Sequence, residues 1–300
     1  MFKFLICNNG ARLREEKPIV TIEAEYGDEC VEGTRLTLAH HGPRSANPPP
    51  CLWVEDELLL GAIAREALRL HSPITVGLSH LDLDALGGVL TVMARRKTED
   101  NVLFWQAAAY IDLHGPHMLP TFLGHSAAEE VVRDQLWAFW AWSEEHKLYP
   151  PRDGTVMDCT KEVMDAVNVI QRILKGEPAL IAAGRTARSA EKELDGQSFQ
   201  ANVGRVMVRQ HEKFCNHLYC HEQRVAKAVV GYNPKVGSIT VSLAEPVVGV
   251  SCRTLVQTLW GPEAGGHEGI AGSPRGKEMT FEQALGCAQV LDKKLHDVSM

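Results

Sequence analysis

The sequence predicts an α/β protein: a larger N-terminal domain built on a parallel sheet, residues 1–180, and a smaller α/β domain with a mixed sheet, residues 181–300. Three observations carry this reading. Apolar, β-rich runs alternate with helical patterns between residues 18 and 111, and strand–helix–strand order favours a parallel layer. The texture changes after residue 200 to short alternating runs joined by turn residues, RVAKAVVGY, NPKVG and GSITVSLAE. Between them, Gly176 and Pro178 end a helical stretch and a polar segment follows, which places the boundary at 176–200.

The elements follow in order. PIVTIEAEY and GTRLTLA read as strands separated by the acidic turn GDECVEG. HHGPRSANPPPC is a loop, because three consecutive prolines exclude a helix interior. From Glu55 to His71, Leu59, Ile63, Ala67 and Leu70 recur at helical spacing. A strand over 74–79 precedes the paired glycines Gly87 and Gly88 and a helix VLTVMARR. NVLFWQAAAYI (101–111) is a continuous apolar run and reads as a further strand ending at Asp112. Ser126 and Glu129 form a capping box for a helix over 126–147, and another helix spans about 158–175. FEQALGCAQVLDKKL closes the chain as a helix.

Composition narrows the function classes. The chain has 300 residues, enough for about two domains, and its 45% hydrophobic and 23% charged content is ordinary for a globular protein. No run approaches the roughly 20 apolar residues that span a bilayer, so no membrane segment is expected. The opening MFKFLICNNGARLREEK has neither a long apolar core nor a cleavage site of small residues. Eight cysteines without framework spacing suit reduced thiols, hence a cytoplasmic protein. The net charge of −7 is uneven: residues 181–300 carry 14 Lys+Arg against 12 Asp+Glu, leaving −9 for residues 1–180. Long duplex DNA demands a basic surface, so the expected partner is a short oligonucleotide or small phosphorylated substrate. Aromatic content of 6% gives little base-stacking signal. The oligomeric state stays open, with a homodimer as one option.

Two segments concentrate chemistry. In SHLDLDALGG, residues 79–88, an extended chain would place His80, Asp82 and Asp84 on one face. Like charges so close need a cation or a proton; alternatively, one of the aspartates caps the helix after it. In YIDLHGPH, Asp112 and His114 again stand two apart, with His117 beyond a Gly-Pro turn. Carboxylates mixed with imidazoles and no thiolate favour manganese, with magnesium as the alternative, over structural zinc. His40 and His41, beside Arg44, form a third candidate, but adjacent residues of an extended chain point oppositely, so at most one is expected to face a given site. Successive glycines in GGHEGIAGSPRG let a backbone approach an anion, with His267 and Arg275 adding charge. FCNHLYCH (Cys215, His217, Cys220, His221) reads as helical and lacks the spacing of a zinc module.

SHLDLDALGG resembles the first motif of the DHH phosphoesterase superfamily, and GGHEGIAGSPRG resembles the GGHxxAAG signature of the DHH-associated C-terminal domain, with VSCRT matching the strand that supplies an arginine there. The likeness implies an active site in the cleft between the two domains, with two metal ions activating water. Asp82, Asp84, Asp112 and His114 would be catalytic and ligate metal, joined by His80, His117 and His41. Arg253, Gly265, Gly266, His267 and Arg275, with His40 and Arg44, would bind substrate. No literal Asp-His-His occurs, Asp153 and Asp158 are the candidates for the family's last aspartate, and residues 1–54 form an added segment. The resemblance implies hydrolysis of short oligonucleotides or small nucleotide phosphoesters; the alternatives are an inactive nucleotide-binding protein on this scaffold and a polyphosphate or pyrophosphate hydrolase.

Overall fold

The structure is a computed structural model that describes residues 2–54, 57–69, 71–95, 100–213, 219–221 and 224–298. The opening apolar patch is a central strand, β1 (Phe2–Ile6), followed by a short helix α1 (Gly10–Glu15). β2 (Val20–Ile22) leads into a tight hairpin, β3 (Glu25–Tyr26) and β4 (Glu29–Cys30), before β5 (Leu36–Leu38). Helix α2 (Glu57–Arg69) then precedes β6 (Ile74–Leu78). These strands form a sheet in the order β5-β2-β6-β1, all parallel, and β7 (Met157–Asp158) adds an antiparallel edge on β1. Buried on both faces, such strands read as unbroken apolar runs, and Phe4, Ile6, Val20, Ile22, Val76 and Leu78 are all fully enclosed.

Register decides which residues meet at the edge of this sheet. Ile22 lies level with both Leu38 and Leu78. The residues immediately beyond β2, β5 and β6 therefore emerge side by side at the carboxyl edge, where open α/β sheets gather ligands.

Helix α3 (Leu83–Val92) starts straight after β6, with Asp82 as its cap, and all ten of its residues are buried. The predicted helix at 89–96 thus begins six residues earlier and ends with Met93 as its C-cap. The expected strand at 101–111 is instead helix α4 (Val102–His114). Its Gln-Ala-Ala-Ala centre favours a helix. Its all-round apolar character, with Phe104, Trp105, Ala107, Ala108, Ala109 and Ile111 buried, is that of a core helix, which periodicity alone does not distinguish from a buried strand. A single turn, α5 (Leu119–Phe122), leads to α6 (Ala127–Glu145), which carries the expected Ser126–Glu129 capping box. After α7 (Thr160–Leu174), α8 (Pro178–Gln197) runs through the segment read as polar linker and packs on α6 so closely that a Cβ on Gly184 would lie 2.7 Å from Ala138 Cα.

A second sheet comes next: β8 (Phe199–Val203), β9 (Val206–Gln210), β12 (Ala228–Asn233), β13 (Ser238–Leu243), β14 (Gly265–Gly266) and β15 (Ile270–Gly272), in the order β14-β15-β13-β12-β9-β8. Only β9 and β12 run parallel, so the sheet is mixed. The pair β10 (Cys220–His221) and β11 (Arg224–Val225) forms a small hairpin, so Cys220 and His221 stand in a strand rather than the expected helix; Cys215 and His217 fall outside the described residues. VSCRT is likewise not a strand: α9 (Cys252–Trp260) starts there, capped by Ser251, and α10 (Phe281–Asp297) closes the chain. Two main hydrophobic cores result among the described residues, one drawn from residues 4–173 and one from 206–291, with a small third cluster of Leu5, Cys7, Leu13, Ala24 and Val31. No helix among the described residues is long and apolar enough to cross a membrane.

Candidate metal centre

Four chain segments deliver the centre. Glu23 and Glu25 follow β2, His40 and His41 follow β5, Asp84 lies in the first turn of α3, and Asp112 lies in the last turn of α4. His267, just past β14, reaches across from the second core. His40 is the hub: its Nε2 lies 3.3 Å from Glu23 Oε1, 3.5 Å from Asp84 Oδ2 and 3.3 Å from Asp112 Oδ2. His267 Nε2 stands 3.4 Å from the same Asp112 oxygen. His41 Nδ1 contacts Glu25 Oε2 at 2.9 Å and Glu23 Oε2 at 3.2 Å. The three imidazole rings sit 4.4 to 5.4 Å apart.

These groups are close but poorly satisfied. Glu23 Oε1, His40 Nε2, Asp84 Oδ2, Asp112 Oδ2 and His267 Nε2 are all buried without a hydrogen-bond partner. Buried polar atoms are normally paired, and each orphan costs roughly 1–3 kcal/mol. Five orphans pointing into one space are what a cation of matching charge relieves. The donor atoms fall into three overlapping groups, each within 4.8 Å: His40, His41, Asp112 and His267; Glu23, His40 and Asp84; Glu23, Glu25 and His41. Four carboxylates and three imidazoles in all, with no thiolate, could hold a divalent cation of hard or borderline type.

The electrostatics agree with the geometry. Burial disfavours a charged imidazole, but Asp84, Glu23 and Asp112 outweigh it and hold His40 up at about 9. Burial likewise opposes the charge on His41, and Glu23 with Glu25 overrides it, raising the ring to about 11. Desolvation, with Asp112 and Glu23 nearby, pushes the Asp84 carboxyl up despite its contact with His40. Desolvation also opposes ionisation of Glu25, and His41 reverses it, leaving that carboxyl below the ordinary range. Asp84 is fixed by its other oxygen, which accepts from the Cys51 amide at 2.9 Å.

The predicted residues divide sharply. Asp84, Asp112, His40, His41 and His267 converge. Asp82 does not: it caps α3 by accepting from the Ala85 amide at 2.9 Å, and its other oxygen meets His80 Nε2 at 3.0 Å. The strand alternation expected through Asp84 stops because the helix begins at Leu83. His80 is held between Asp82 and Arg275, whose guanidinium donates to His80 Nδ1 and, at 2.9 Å, to Ser79 Oγ. His114 is two residues from Asp112 on a helix rather than a strand, which turns it to another face; it rests against Tyr110 with ring centroids 4.5 Å apart. His117 is buried against the second core, stacked on Tyr219 and 3.2 Å from Ser242 Oγ. Among the described residues Arg44 reaches Asp28 O and Glu32, and Arg253, from α9, pairs with Asp28. Asp153 accepts from the Thr155 amide and Asp158 from the Thr160 amide at the start of α7, and neither joins the centre.

Contrary to the expectation from an extended chain, both His40 and His41 face the centre, because β5 ends at Leu38 and the chain bends into the Gly42–Arg44 turn. Glu23 and Glu25 are members of the centre that the sequence motifs do not single out. A signal for them exists, since TIEAE carries carboxylates at alternate positions beyond an apolar run just as SHLDLD does.

Two clefts share Arg275, and the smaller is lined by residues of the centre. One, of about 540 Å³, is walled by Glu25, Tyr26, Gly27, His41, Gly265, Gly266 and Arg275. Gly266 adopts φ +135°, and a Cβ there would lie 2.7 Å from Ala271 Cα, so only glycine fits. The other, of about 760 Å³, opens past His80 and Asp82. The chain matches no protein-family model and no curated protein.

Proposed function

We propose that this chain is a manganese-dependent phosphoesterase, with magnesium as the alternative ion, acting on short oligonucleotides or small nucleotide phosphoesters. The observation that carries the proposal is the convergence of five buried, unpartnered donor atoms from Glu23, His40, Asp84, Asp112 and His267 beside an open cleft. A divalent cation bound by those residues supplies Lewis acidity toward a phosphoryl oxygen and makes a water molecule a stronger acid.

The protein's own groups do the rest. Asp84 and His40, almost fully enclosed, keep bulk water from the donor set. Gly265 and Gly266 carry no side chains into the smaller cleft, which leaves room for a phosphate next to His41. Arg275 makes no ion pair among the described residues; its contacts are the hydroxyl of Ser79 and the ring of His80, so its positive charge stays available to a phosphate in either cleft. Cationic groups placed where negative charge accumulates on phosphorus lower the barrier most effectively in such a partly desolvated site. Because His267 comes from the second core while the other donors come from the first, the site is complete only when both are docked.

Hydrolysis of bis(p-nitrophenyl) phosphate tests the proposal. Manganese should stimulate it, and Asp84→Asn, Asp112→Asn and His267→Ala should each lower it by at least about tenfold to a hundredfold, the scale seen when metal-site support is removed. Activity indifferent to manganese, or wild-type rates in all three variants, would overturn it.

A further inference from the structure

We infer that the 760 Å³ cleft between the two cores is a docking groove for single-stranded oligonucleotide, with bases on an aromatic platform and phosphates on a lysine rim. The inference deepens the phosphoesterase reading and rests on it, since the groove is what would lead a strand to the donor cluster.

The lining makes the case. Trp140 and Trp142 of α6, Tyr149 of the following loop and Tyr232 of β12 all face it. The Trp142 ring is already stacked nearly flat on His146, centroids 4.6 Å apart at 9°, which presents a broad π surface. Tyr149 is 52% exposed, so its ring is accessible from the cleft. Base stacking on such rings tolerates any sequence, because every base has a π face.

The charge is equally selective. Lys147, Arg152, Lys213, Lys235, Arg275 and Lys277 line the cleft against only Asp82 and Glu162, in a chain whose net charge is −7. Among the described residues Lys213, Lys235 and Lys277 make no ion pair, and all three are exposed. Inorganic phosphate would need the cations alone, and an apolar peptide only the rings. A nucleic-acid strand needs both, interleaved. The groove also meets the smaller cleft beside the centre: Arg275 lines both, and His80 and Asp82 form the wall nearest α3. A volume of this size encloses drug-sized ligands and suits a short stretch of strand.

The test uses full-length protein in EDTA and fluorescein-labelled hexamers of thymidylate and uridylate, read by anisotropy from 50 to 200 mM salt. Lys213→Gln, Lys235→Gln and Lys277→Gln combined should reduce the steepness of log affinity against log salt by about 2, at roughly 0.7 for each phosphate no longer neutralised. Tyr149→Ala should weaken binding about 5- to 150-fold, the equivalent of removing one base-stacking interaction. Manganese uptake, measured on the same proteins freed of EDTA, should be unchanged in both. A wild type that fails to bind either hexamer, or affinities and salt slopes that match in all three proteins, overturns the groove. A wild type that binds hexamer through these residues but takes up no manganese overturns the metal reading instead and leaves the groove standing.

Discussion

The dependence of the centre on a donor from the second core can be tested at a glycine outside it. Gly27, in the turn between β3 and β4, has φ +67°, and a Cβ there would lie 2.6 Å from the Pro262 carbonyl carbon and 3.1 Å from Glu263 Cα. Both neighbours are backbone, so no side-chain rotation relieves the overlap. The Pro262 carbonyl oxygen is nearer still, at 1.5 Å; ordinary contact is about 3.5 Å, and Gly27→Ala therefore forces the 262–263 segment away by about 2 Å. That segment runs directly into β14 and His267, whose Nε2 lies 3.4 Å from Asp112. Losing that alignment should weaken manganese binding about 10- to 100-fold and slow hydrolysis by at least about 10²-fold, the scale already reached by a 1 Å misplacement. Gly176→Ala is the control: it has a similar φ of +75° but meets nothing within 4 Å. It shares the left-handed strain, roughly 1–2 kcal/mol, without the displacement. Manganese titration by calorimetry of the two variants and wild type separates the effects. Equal manganese affinity in all three would refute the argument that the second core completes the centre.

Two further outcomes are expected from the same geometry. Asp84→Asn should abolish manganese uptake, whereas Asp82→Ala should keep it and lose its contact with His80 and a helix cap, the cap being about 1 kcal/mol in a denaturant midpoint; the reverse ranking would contradict the placement of the two aspartates. Burial holds His117 down at about 4. The unfolded chain then takes up its proton first as pH falls, so this stability is complete above about pH 6.5 and is lost between there and about pH 4, with about 2 kcal/mol gone by pH 5. His117→Phe, which keeps a ring against Tyr219, should show a correspondingly smaller drop between pH 7.5 and pH 5 in urea unfolding, and an identical drop would count against the assignment.

Local signals in the sequence carry much of the fold. The Ser126 capping box, the apolar runs of β5 and β6 and the turn between β12 and β13 are each decided by neighbouring residues, and they form where expected. The elements that differ depend on tertiary information. Residues 101–111 are apolar almost throughout and mostly buried, so strand and helix look alike. Phe2–Ile6 is a short apolar patch whose role as a central strand depends on its pairing with β6. At the candidate site, Asp84, Asp112, His40, His41 and His267 are legible as residue types, but their grouping is not. Asp82 and His114 share a face with their neighbours only under the two-residue period of a strand, and both segments are helical at that point. Glu23 and Glu25 bear the same alternation, but the hairpin that starts at Glu25 obscures where β2 ends.

The most direct measurement is anomalous diffraction from manganese-soaked crystals. Ion density is expected within about 2.0–2.6 Å of carboxylate oxygens, the range for hard divalent cations, among Glu23, His40, Asp84, Asp112 and His267. Density confined to other parts of the molecule, with His40 still seated against the carboxylates and no ion between them, would contradict it.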